Sequence, residues 1–117
     1  MIRGNVSEDG IPSIAITIDG DQRTAIIDTG FNGDLELPEA LRTKVNARYA
    51  GQITSALAGG QMIEERAYVV DFPFDGELRP ATATFVAGSG ILIGTNLLRK
   101  HQLRIGFLSK VVELERE

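Results

Sequence analysis

Ala25-Ile26-Ile27-Asp28-Thr29-Gly30 and, toward the other end of the chain, Ile91-Leu92-Ile93-Gly94-Thr95-Asn96-Leu97-Leu98 share one plan. In each, an apolar run stops at a three-residue turn, and a short helical pattern follows within about a dozen residues, the scale of one supersecondary unit. The run before Asp28 has no polar alternation, so it reads as a central strand buried on both faces. Its carboxylate therefore emerges beside the core, with a tight turn that Gly30 permits. Asp, Thr and Gly also favour ordinary turns, and the tripeptide alone is equally a strand ending.

Working outward, Ile14, Ile16 and Ile18 alternate on one face, and Asp19-Gly20-Asp21 turns the chain back into Thr24-Ala25-Ile26-Ile27 as a hairpin. Leu35-Glu36-Leu37 reads as a short strand. Pro38 suits a first helical turn, which predicts a short helix over Glu39–Val45. From Tyr49 to Phe72 two strands flank Ala58-Gly59-Gly60, a long hairpin with a mobile tip. Asp75-Gly76 marks a turn, Ala81–Val86 is β-rich, and Gly88-Ser89-Gly90 interrupts it. Thr95 is the expected cap of a second short helix ending near His101, and Leu103, Ile105 and Phe107 open a last hairpin that returns through Val111–Leu114. The pattern predicts an all-β fold in a single domain, residues 1–117, with no linker.

With 117 residues, 43% hydrophobic and 24% charged, the chain has the composition of a globular domain large enough to fold without disulfides. It has no cysteine, which excludes thiol nucleophiles and thiolate zinc sites. Twelve basic against sixteen acidic residues leave a net charge of −4 without a Lys/Arg cluster, so no nucleic-acid partner is expected. No apolar stretch is long enough for a membrane helix, and the N-terminal residues lack a secretory pattern. A cytoplasmic protein with a peptide or protein partner is expected.

The block Ile91–Leu98 resembles the segment that follows the flap in retroviral-type aspartic proteases, and the order of parts matches as well: Asp-Thr-Gly, a glycine-tipped hairpin, then the apolar-Gly block. The resemblance spans nearly the whole chain and is nearest to small bacterial and archaeal retropepsin-like members, where Asp28-Thr29-Gly30-Phe31-Asn32-Gly33 is a familiar run. It implies a closed acid-protease-like barrel with a flap hairpin and one or two short helices. It also implies a homodimer, since only one Asp-Thr-Gly is present and each subunit would supply one Asp28. Asp28, Thr29 and Gly30 are then the catalytic turn. Thr29 would bond across the two-fold axis, and the two carboxylates would share one proton while activating a water, without metal or cofactor. Phe31, Asn32, Ala58, Gly59, Gly60 and Ile93 are the expected substrate-binding residues, with Leu57 and Met62 as further walls and apolar side chains as the default substrate preference.

The sequence departs from the retroviral pattern in three places. Phe31 stands where a small residue is usual, and Asn32 and Thr95 replace an Asp and an Arg that pair. Losing both charges together leaves neither uncompensated. These departures keep a second reading open, a catalytically inactive dimerisation or peptide-binding module; a barrel subunit of a larger assembly is a third. His101, the only histidine, is expected at a helix end as a solvated cation. Asp19, Asp21, Asp34, Asp75 and Glu64-Glu65 are expected on the solvated surface.

Overall fold

In the computed structural model, which describes residues 1–117, the apolar run before Asp28 is a strand flanked on both sides. Ten strands form one sheet: β1 (Ile2–Val6), β2 (Pro12–Ile18), β3 (Asp21–Ile27), β4 (Leu35–Pro38), β5 (Arg48–Ala56), β6 (Met62–Phe74), β7 (Glu77–Val86), β8 (Leu92–Ile93), β9 (His101–Gly106) and β10 (Val111–Arg116). Their hydrogen-bonded order is β5-β6-β7-β4-β8-β3-β2-β1-β10-β9. β3 pairs antiparallel with β2 and, at Ile26 and Ile27, parallel with β8, so its apolar end is central in the sheet, with Ala25 and Ile27 buried and Ile26 half-buried.

Alternation in β2 buries Ile14, Ile16 and Ile18, and Asp19 and Gly20 turn the chain with φ of 52° and 76°. Two successive left-handed residues make the tight hairpin turn whose twist suits the flanking strands. The inner faces of β2, β3, β4, β6, β7 and β10 meet in one cluster of 20 buried residues centred on Ile14, Leu35, Leu37, Phe72, Ile93 and Leu97. β2 packs against both β6 and β10, so the sheet curls over this core. It does not close. The order ends at β5 and β9, and the expected closed barrel is an open sheet with two edges. β5 and the first half of β6 are exposed on both faces, leaving no buried face for a closing strand to cover.

Of the two expected helices, one is shorter than its sequence pattern and the other does not form. The first is a single 3₁₀ turn, Glu39–Leu41, with no side-chain cap at Pro38, and β-branched Thr43 and Val45 do not extend it. Over Thr95–His101 the chain makes two turns, closed by Leu98 N–H to Thr95 O (3.1 Å) and His101 N–H to Leu98 O (2.8 Å). Thr95 caps nothing, because its hydroxyl is directed to Phe31 O and Asn32 Oδ1, each at 3.4 Å. No helix is long and apolar enough to cross a membrane.

Candidate active site

Asp28 follows the last residue of β3, and its backbone N–H donates to Ile93 O at 3.0 Å, continuing the pairing with β8 beyond the strand. Gly30 N–H donates to Asp28 Oδ1 (2.9 Å) and Phe31 N–H to Asp28 O (3.1 Å), so the turn fixes one carboxylate oxygen. Oδ2 has no partner in the chain, a free acceptor at the end of a buried strand.

The turn is locked to the second sequence block through backbone. Gly94 N–H donates to Asp34 O (3.0 Å), Thr95 N–H to Phe31 O (2.8 Å) and Asn96 N–H to Gly33 O (3.2 Å). A Cβ on residue 94 would lie 2.1 Å from Gly33 O and 2.7 Å from Phe31 O, so only glycine fits this crossing. Asp34 completes the lock. It is 8% exposed, and its two oxygens accept from Asn96 Nδ2 at 2.7 Å and from Thr82 N–H on β7 at 2.9 Å. A carboxylate buried with two donors ties both loops to β7; it is not the solvated residue expected from the sequence.

Above the turn lies a cleft of about 240 Å³, floored by Asp28, Gly30 and Phe31 and reached by Leu57 and Ala58 from the tip of the β5–β6 hairpin. Glu36, Leu92 and Thr84 are opposite one another across β8, β4 and β7, and all three line the cleft. The rest follows from period two: Leu35, Leu37 and Ile93 point into the core, and the residues between them point the other way. The Glu36 carboxyl is held above its ordinary value, chiefly by burial and then by the charges of Glu65 and Asp28. No cluster of three His, Asp or Glu side chains has the arrangement of a metal centre.

No protein-family model matches the chain, and no curated protein matches it in sequence. A crystal structure of a retropepsin-like aspartic protease from Rickettsia conorii matches 98% of this chain and 89% of its own, with a TM-score of 0.66 at 17% identity. The fold is retropepsin-like.

Within the retropepsin-like fold, Asp28, Gly30, Phe31, Leu57 and Ala58 share the cleft. The Phe31 ring lies against Gly33, where a Cβ would come within 2.7 Å of it. Thr29 and Asn32 instead face a shallow neighbouring surface with Thr95, Leu98 and Leu103. Gly59, Gly60 and Met62 are exposed on the hairpin and do not line the cleft. Ile93 is fully buried in the core, and Leu92 takes the position beside the cleft.

Sequence reasoning assigns no role to Glu36, Thr84 and Leu92 and places Glu65 on the solvated surface, whereas all four line the cleft; the available signal was alternation around residues already read as strand. His101 is another correction. Its side chain is 2% exposed at the start of β9, with Nε2 at 2.9 Å from Asp75 Oδ2, and Arg116 also reaches Asp75 at 3.2 Å. The sequence places both His101 and Asp75 in solvent, whereas in the fold they join the last hairpin to the β6–β7 turn.

Proposed function

We propose that the chain is one subunit of a homodimeric aspartic endopeptidase in which Asp28 of each subunit faces its counterpart across a two-fold axis. The observation that carries this reading is the free oxygen of Asp28 on the floor of a cleft, beneath a hairpin tip, in a retropepsin-like fold. Of the two carboxylates, one is ionised and takes a proton from a water held between them; the other, protonated, donates to the scissile carbonyl oxygen. The water oxygen bonds to the carbonyl carbon, the tetrahedral intermediate forms, and the C–N bond breaks as the amine takes up a proton. Gly30 leaves room for the extended substrate, and Leu57 and Ala58 cover it and exclude water.

Thr29, Asn32, Thr95, Leu98 and Leu103 form the face that meets the second subunit, which supplies the missing half of the site. The test is Asp28→Asn, assayed with a mixed peptide library at acidic pH and accompanied by sedimentation. Turnover is expected from a dimer, inhibited by a hydroxyl-bearing transition-state isostere and lost at least about a thousandfold in the variant. If the variant cleaves as fast as the parent, Asp28 is not the catalytic group; if it binds peptides and neither protein turns them over, the chain is a binding module.

A further inference from the structure

The cleft is lined by acidic side chains and by no basic one, the nearest cations being Arg42 and Arg66 in the adjoining pocket that Glu65 also borders. Asp28, Asp34, Glu36 and Glu65 line it, and no Lys, Arg or His does. Asp34 is already satisfied by Asn96 and Thr82, but Glu36 and Glu65 make no hydrogen bond or ion pair in the chain. Their mutual repulsion contributes to raising the Glu36 carboxyl, which an internal cation would have offset. A second observation lies between them and the floor. Thr84 is 5% exposed and lines the same cleft, and its hydroxyl has no protein partner. A hydroxyl that the fold leaves without a protein partner and that opens onto the cleft is available to whatever enters it.

The size of the space limits what enters. At about 240 Å³ it falls below the ~300–1,000 Å³ of a small-molecule site and suits one long side chain of an extended peptide. Leu92, Phe31 and Ile53 provide apolar walls for a methylene stem, and the two carboxylates stand ready for its charged end.

Resting on the endopeptidase reading of the same cleft, we infer that the site selects a lysine or arginine side chain adjacent to the scissile bond, held by Glu36 and Glu65 with Thr84 as a further acceptor. The apolar preference that the family resemblance implies is thereby replaced by a cationic one. Glu36 and Glu65 are specificity residues, and they do not touch the reacting atoms.

The experiment uses the full chain and three peptides that differ at one position, Lys, norleucine or Glu, placed in turn on either side of the cut. The kcat/KM for Lys is expected to exceed that for norleucine by roughly tenfold or more, with Glu the poorest. In Glu36→Gln/Glu65→Gln, checked for an intact melting transition, the Lys-to-norleucine ratio should fall to within about twofold. Equal rates in the parent, or a ratio that survives the double substitution, overturn the inference while leaving catalysis by Asp28 standing.

If the parent cleaves none of the peptides, the endopeptidase reading fails separately, and fluorescence anisotropy with the same peptides decides the inference: tighter binding of Lys, lost in the double variant, supports it, and equal binding refutes it. If the double variant does not fold, the parent's pH dependence decides. Because burial and the charges of Glu65 and Asp28 raise the Glu36 carboxyl, the Lys preference must grow as pH rises from the ordinary carboxyl range toward neutrality, and a flat ratio refutes it.

Discussion

Asp34→Ala tests whether one buried carboxylate holds the loops of the candidate site together. The side chain accepts two hydrogen bonds, 2.7 Å from Asn96 Nδ2 and 2.9 Å from the Thr82 N–H, and a charged acceptor makes each worth about 1.5–3 kcal/mol. Asn96 lies at the surface and regains water when its partner goes, which reduces its share to about 1 kcal/mol; the Thr82 N–H, partly shielded, loses about 2. The expected loss is therefore about 3 kcal/mol, or roughly 12 °C in Tm for a domain of this size. Asp34→Asn keeps an acceptor but presents an amide donor to one of the two N–H groups, and about half that loss is expected. Urea unfolding followed by circular dichroism, at neutral pH and one fixed protein concentration, measures both as a shift in midpoint with unchanged slope. A loss below about 0.5 kcal/mol for the alanine variant, typical of an ordinary surface site, would refute the structural role.

Three further outcomes follow from the same geometry. Gly94→Ala drives a methyl into the carbonyls of Gly33 and Phe31, backbone atoms that cannot swing aside, so it should cost at least about 3 kcal/mol or abolish soluble expression, as read by yield and melting temperature. The Asp75 carboxyl is held below its ordinary value by the hydrogen bond from His101 and, less strongly, by Arg116, against the opposing effect of burial. A depressed folded value gives stability that is present above the unfolded value and lost as pH falls through the folded one, so the parent should lose midpoint stability below about pH 4 more steeply than Asp75→Asn. Glu36 has the opposite sign: its ionised form costs stability above the ordinary carboxyl range, so Glu36→Gln should melt higher than the parent near neutral pH and level with it in acid.

Much of this architecture is written in periodicity. Ile14, Ile16 and Ile18 give β2 its inner face, and the unbroken apolar run to Ile27 marks the strand that has neighbours on both sides. The Asp-Gly pair places the turn, and the alternation of Leu35, Glu36 and Leu37 already implies that Glu36 faces away from the core. What was illegible depends on partners distant in the chain. Nothing local distinguishes Asp34 from Asp19, both acidic residues in turns; Asp34 is buried because Asn96 and Thr82 are brought to it from sixty-two and forty-eight residues away. Likewise Thr95 has the chemistry of a helix cap, and tertiary structure spends its hydroxyl on Phe31 and Asn32 instead. His101 reads as a helix end only while that helix is assumed; once it begins β9, its register opposite Arg116 carries it to Asp75.

Asn32 and Thr95, which stand where the retroviral pattern has a charged pair, bear on the proposed partner face more than on the turn itself. Their hydroxyl–amide contact is 3.4 Å long, well beyond the about 2.7–2.8 Å of a good O–H···O bond, so it contributes little rigidity. The turn does not depend on it. Asp28 is positioned by its N–H on Ile93, Thr95 N–H on Phe31 O, Gly94 N–H on Asp34 O and the Asp34 carboxylate, at 2.7 to 3.0 Å, and none of these involves the side chain of residue 32 or 95. A half-site can therefore be well formed in each chain while the surface around Thr29 offers only Arg99, and no paired acidic and basic side chains, to orient a second copy. Under the proposed mechanism, the departures at Asn32 and Thr95 weaken association of the subunits and leave the chemistry of the assembled pair intact. Specific activity should then rise with protein concentration over the range in which sedimentation shows the dimer forming, and a specific activity independent of concentration across that range would separate catalysis from dimerisation.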